Sequence, residues 1–99
     1  METIKTKNGS NLSIALKGRL DTTTAPQLEN ELRTALTGIT DLTFDMKDLA
    51  YISSAGLRVL LSAQKVMNRQ GDMTIKNVSA EIMEIFEVTG FVDILNIEA

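Results

Sequence analysis

Residues 41–57 read DLTFDMKDLAYISSAGL, and the change of rhythm inside them decides the fold. Leu42, Phe44 and Met46 alternate with polar residues, the period of two expected of a strand with one buried face, and Leu49 and Ile52 carry the apolar content on to two serines. Beyond the serines the spacing lengthens. Leu57, Leu60, Leu61 and Gln64, with Met67 close by, share one face of a helix that begins at Ser54 and runs to Gln70, where Gly71 supplies a left-handed stop. A strand feeding a long helix through a short polar junction is the building unit of an α/β protein.

The flanking segments repeat the unit. Upstream, residues 3–7 and 11–18 alternate about the turn signal Asn8-Gly9, which predicts an N-terminal hairpin with Leu12, Ile14 and Leu16 on one face. In GRLDTTTAPQLENEL, Thr24 can cap a helix, with Pro26 in its first turn and Gln27 as capping-box partner. Leu28, Leu32, Ala35 and Leu36 then follow helical spacing up to Gly38. Downstream, residues 73–78 read as a strand, and Ser79 caps a helix whose Ile82, Ile85 and Phe86 point one way before Gly90 ends it. Residues 91–97 are either a small helical turn or an edge strand. The expected order is β-β-α-β-α-β-α with a short tail: one α/β domain over residues 1–99, a mixed, mainly parallel sheet with an antiparallel N-terminal hairpin, packed with helices.

Composition narrows function by exclusion. Ten Lys and Arg are interspersed with thirteen Asp and Glu for a net charge of −3, which argues against nucleic acid and anionic membranes as partners. No signal peptide and no apolar run of membrane-spanning length is present, so a cytoplasmic protein without membrane insertion is expected. The chain has no cysteine and no histidine, which removes disulfides, thiolate and imidazole metal sites, Cys-His pairs and Ser-His triads. Asp45 and Asp48, separated by an expected bend, lack a third ligand and read as turn chemistry rather than a metal site. Lys65 and Arg69 read as a solvated face, and Met67, Met73 and Met83 as core filler.

The serines carry the remaining signal. Ser53 is a favoured N-cap residue, whose oxygen accepts an otherwise unpaired backbone N–H. Ser54 then falls in the first turn, where free N–H groups and the helix dipole favour an anion, so a phosphate there is locally stabilised. The small Ala55 and Gly56 leave room for a partner, Gly56 reading equally as tight packing against a strand.

The pieces Gly18-x-Leu20-Asp21 with Thr24-Ala25, Ser54-x-Gly56-Leu57, Gly71 and Val88-Thr89-Gly90-Phe91 stand in an order and spacing that resembles STAS domains, specifically the stand-alone bacterial anti-sigma factor antagonists. The resemblance implies a partner switch. The unmodified antagonist binds an anti-sigma factor that is also a serine kinase and so releases the sigma factor; phosphorylation breaks that complex, and a serine phosphatase restores it. The family's Asp-Ser-(Ser/Thr)-Gly-Leu motif maps the modified residue onto Ser54, with Ser53 in place of the usual Asp, Ala55 in place of the second hydroxyl residue, and Ser53 as the alternative acceptor. The implied contact surface comprises Asp21, Thr22, Ser53, Ser54, Gly56, Leu57 and Arg58, with no catalytic residue, metal or cofactor: a binding module, not an enzyme. The alternative is a STAS subunit of a lipid-transport ABC system, or another constitutive STAS interaction module, bound to its partner without modification.

Overall fold

The computed structural model describes residues 1–98. In chain order it forms β1 (Glu2–Asn8), β2 (Asn11–Leu20), α1 (Ala25–Ala35), β3 (Asp41–Ile52), α2 (Ser54–Gln70), β4 (Asp72–Lys76), α3 (Ala80–Thr89), a 3-10 turn (Phe91–Asp93) and β5 (Ile97–Glu98). The five strands make one sheet in sequential order, antiparallel between β1 and β2 and parallel thereafter. The hairpin closes with Asn8 opposite Asn11, so its two turn residues are Gly9 and Ser10, one position later than the Asn8-Gly9 signal suggests. Gly9 takes φ +63°, as such a turn requires. The tail uses both of its possible forms in succession, the 3-10 turn first and then a two-residue edge strand.

All helices share one face of the sheet. Each crossover from β2 onward moves one strand in the same direction, and right-handed connections then fall on the same side. The burial pattern agrees: Leu12, Ile14, Leu16, Leu42, Phe44, Met46, Met73 and Ile75 are buried, whereas Ser13, Ala15, Thr43, Asp45 and Thr74 on the opposite face are only half-buried. Leu28 and Leu32 of α1, Leu60, Ala63 and Met67 of α2, and Ile82 and Phe86 of α3 close one continuous core. Each large aliphatic side chain buried there contributes about 1.5–3 kcal/mol. The inward stripe of α2 includes Val59 and Ala63, while Gln64, expected on that face, instead hydrogen-bonds Asn68 at the surface.

Two local features depart from the sequence reading. β3 does not bend between Asp45 and Asp48 but continues to Ile52, with one extra residue relative to β2 after Asp45 and a second after Leu49. These bulges break the period of two and turn Leu49 and Ile52 inward, Ile52 beside Leu20. Gly71 is not a left-handed stop: its φ of 169° is ordinary extended backbone. Glycine is needed because a β-carbon there would overlap the carbonyl group of Thr40, which accepts the Asp72 N–H at 2.9 Å. Gly90, in contrast, is left-handed at φ +81°.

Candidate functional site

The site lies where β2 and β3 end together. Leu20 pairs with Ile52, and the Ser53 N–H donates to the Leu20 carbonyl at 2.9 Å, so the loop after β2 runs alongside the junction from β3 into α2. This is the carboxyl edge of the parallel strands, where α/β sheets present loops and helix N-termini for recognition.

Asp21 organises the loop. Its carboxylate oxygen Oδ1 accepts from the Thr23 hydroxyl at 2.7 Å, the Thr23 N–H at 3.0 Å and the Thr24 N–H at 3.2 Å, while its carbonyl accepts the Ala25 N–H at 2.8 Å. The side chain of Thr24 does not cap α1. Its hydroxyl accepts the Asp21 N–H and donates to the Arg19 carbonyl, both at 2.8 Å, so the expected capping box with Gln27 gives way to an Asx-type turn. The Thr23 hydroxyl is the largest cause that lowers the Asp21 pKa from 3.8 to about 2; the N–H groups of Thr24 and Thr23 and the Thr24 hydroxyl act with it, against partial desolvation. Asp21 therefore stays ionised through the physiological range.

Ser53 occupies the N-cap position of α2 with extended backbone, φ −101° and ψ 176°, but its side chain makes no capping hydrogen bond. Its Oγ is buried and without a partner among the described residues, which corrects the capping role expected of it and leaves that oxygen shielded from a modifying enzyme. Ser54 is the first residue of the helix and is exposed. The first turn of α2 holds no acidic residue and no capping side chain, so its N-terminal N–H groups have no side-chain acceptor at the cap. Arg58, one turn on, is exposed as well.

Gly56 and Leu57 belong beneath the site rather than on it. Leu57 is only 5% exposed, and a β-carbon on Gly56 would stand 2.7 Å from Leu20 Cγ, 2.8 Å from Ile52 Cγ1 and 3.0 Å from the Leu20 carbonyl oxygen. Of the two readings of Gly56, the structure supports tight packing against the strands. Thr22 is exposed and, with Ala25, Pro26 and Glu29 of α1 and Ala55, Arg58, Val59 and Ser62 of α2, lines a cleft of about 310 Å³ next to Ser54.

Sequence reasoning missed Arg19 and Tyr51. They are opposite one another in the β2–β3 ladder, and the Arg19 guanidinium lies over the Tyr51 ring, 4.4 Å from its centroid, with its Nε 3.7 Å from Asp21 Oδ2. The pairing depends on the second bulge of β3, which no linear spacing reveals. Ser62 and Lys65 spell the S-x-x-K spacing of Ser-Lys hydrolases, also overlooked, but both are exposed on α2 and no hydrogen bond joins them. Among the described residues no three Asp or Glu side chains gather in a way that could hold a metal ion. Asp45 instead accepts from Asn77 Nδ2 and the Lys47 N–H, each at 3.0 Å, and Asn77 chiefly lowers its pKa. No described helix is long and apolar enough to cross a membrane.

Comparison with known proteins points the same way as this geometry. Residues 2–99 match the family model described as STAS domain. The anti-sigma-B factor antagonist of Bacillus subtilis is 30% identical over 94 residues, covering 94% of this chain and 86% of that protein. The anti-sigma-B factor antagonist of Listeria monocytogenes is 31% identical over 98 residues, covering 96% of this chain and 85% of that protein. The solved structure of the Bacillus cell fate determinant SpoIIAA in its phosphorylated form shares the fold, with a TM-score of 0.76 over 99% of this chain and 92% of that one, at 18% identity.

Proposed function

Since the chain belongs to the STAS domain family, we propose that it is an anti-sigma factor antagonist whose binding to an anti-sigma factor serine kinase is switched off by phosphorylation of Ser54. The observation that carries this reading is the setting of Ser54: exposed, at the first position of α2, among uncapped backbone N–H groups and with no acid in the first turn. The names of its relatives supply the partner class. That a protein of this fold occurs in a phosphorylated form supports the modification.

The physical steps follow from charge. Unmodified, the edge formed by Thr22, Ser54 and Arg58 is small and uncluttered, and the partner packs on it. Transfer of a phosphoryl group to Ser54 Oγ adds about −1.5 to −2 charges. The N–H groups at the start of α2 and Arg58 one turn along stabilise the phosphate on the protein, so the fold persists. The added charge and volume then stand in the contact surface beside the permanently ionised Asp21, and a kinase surface complementary to the unmodified edge no longer fits. A serine phosphatase that removes the phosphate restores the first state.

Co-purification from the native cell with intact-mass and peptide mass spectrometry tests the reading. It expects an anti-sigma kinase in the unmodified complex, and a single phosphate, on Ser54, in the unbound pool. Recovery of a transporter ATPase with protein that never carries phosphate would instead favour constitutive binding.

A further inference from the structure

The acidic and basic residues are not evenly distributed. All ten Lys and Arg fall within residues 5–76, beside seven acids, whereas residues 77–99 hold Glu81, Glu84, Glu87, Asp93 and Glu98 and no cation. Among the described residues none of these five carboxylates enters an ion pair; the two ion pairs present are Lys5–Glu31 and Arg19–Asp21. Glu87 stands in the last turn of α3, which contains no basic residue, so its charge adds to the negative end of the helix dipole instead of opposing it.

The same segment holds three of the exposed large hydrophobic residues. Val88 is 80% exposed, with Ile94 at 48% and Val92 at 36% in the segment that follows, and Glu81, Glu84, Ile85, Val88 and Thr89 line a shallow groove of about 230 Å³. Ile85 and Val88 are three residues apart on α3, and the left-handed Gly90 turns the chain so that the 3-10 turn follows directly. An apolar stripe between carboxylates is thus left uncovered by the chain's own elements. α3 starts at the carboxyl edge of the sheet and runs away from it, which puts Val88 about 13 Å along the helix axis from its Ser79 cap. The surface is therefore separate from the Ser54 edge.

We propose that this face is a second docking surface, which takes a cationic amphipathic helix of a protein partner, its apolar stripe over Val88, Val92 and Ile94 and its Lys or Arg side chains opposite Glu81, Glu84 and Glu87. Charge selects this occupant. A second copy meeting the face symmetrically would set carboxylates against carboxylates, whereas a basic helix neutralises them and supplies the cation missing at the end of α3. The inference is independent of the switch at Ser54.

The test is a titration of the ¹⁵N-labelled full chain with a synthetic Leu/Lys amphipathic helix, using a Leu/Glu helix of the same pattern as the control. Saturable amide shifts centred on Glu84, Ile85, Val88 and Val92 are expected with the cationic helix and none with the anionic one. The double variant Glu84→Lys, Glu87→Lys weakens binding by about tenfold or more, Val88→Ser weakens it several-fold, and Ser54→Asp leaves it unchanged. Circular dichroism checks that these surface variants stay folded. Absence of saturation, shifts mapped elsewhere, an affinity indifferent to the α3 variants, or concentration-dependent dimerisation through the same residues overturns the proposal.

Discussion

The Ser53 N–H donates to the Leu20 carbonyl at 2.9 Å, and this one bond ties the loop that carries Asp21 to the junction that carries Ser54. It follows the Leu20–Ile52 pair, the last rung of the β2–β3 ladder, so two segments more than thirty residues apart in sequence form one edge. That edge is the surface on which the proposed partner exchange takes place.

Ser53 sits at a cap position without capping, and its hydroxyl is buried and unpaired. Replacing a serine that does cap costs about 1 kcal/mol, whereas removing an unsatisfied buried hydroxyl is neutral or favourable. Urea unfolding of Ser53→Ala should therefore show no loss of stability, while Ser79→Ala, which removes the acceptor for the Ile82 N–H, loses about 1 kcal/mol. Equal losses in both variants would show that Ser53 caps α2 after all.

Gly56 allows α2 to rest directly on Leu20 and Ile52. Alanine gains about 1 kcal/mol in helix propensity, but overpacking against a backbone carbonyl and two core side chains costs about 1–3 kcal/mol. Gly56→Ala is expected to be destabilised by up to about 2 kcal/mol in net terms, measured by denaturant midpoint at unchanged slope. A more stable variant would place the helix farther from Leu20 and Ile52 than these contacts imply.

Asp21 titrates at about 2 because the Thr23 hydroxyl and the neighbouring N–H groups stabilise its charged form. A depressed carboxylate favours the folded state above its unfolded pKa of about 3.9, and that contribution fades as pH falls from about 4 through 2. Carbon-detected NMR titration should find the Asp21 midpoint near 2, and higher in Thr23→Val, which lacks the donor hydroxyl. A wild-type midpoint near 3.9 would mean that the Asx-type turn does not persist in solution.

Much of this architecture was legible in the residues themselves. Ser79 and Gly90 bracket α3 as their local chemistry suggests, since a cap and a left-handed stop act over three or four residues. What escaped depends on distant neighbours. Gly71 is glycine because of Thr40, thirty-one positions earlier; Leu57 is core because the two bulges in β3 bring Leu20 and Ile52 beneath α2; and Arg19 meets Tyr51 only across a ladder whose register those bulges set. The periodicity of α2 gave its length but set Gln64 rather than Val59 and Ala63 on the inward face, a rotation fixed by the strands below. At the site, the motif brought Asp21 and Ser54 to attention, but the structure alone shows that the oxygen of Ser53 is enclosed while Ser54 is exposed.

The most direct measurement is a calorimetric titration of the cognate anti-sigma kinase with the wild-type chain, Ser54→Ala and Ser54→Asp, each first shown to unfold at the wild-type midpoint. Binding by the wild type and Ser54→Ala at similar affinity, with Ser54→Asp weakened by at least about 2 kcal/mol, some thirtyfold, is the expected result. Equal affinity of all three would contradict a switch at Ser54.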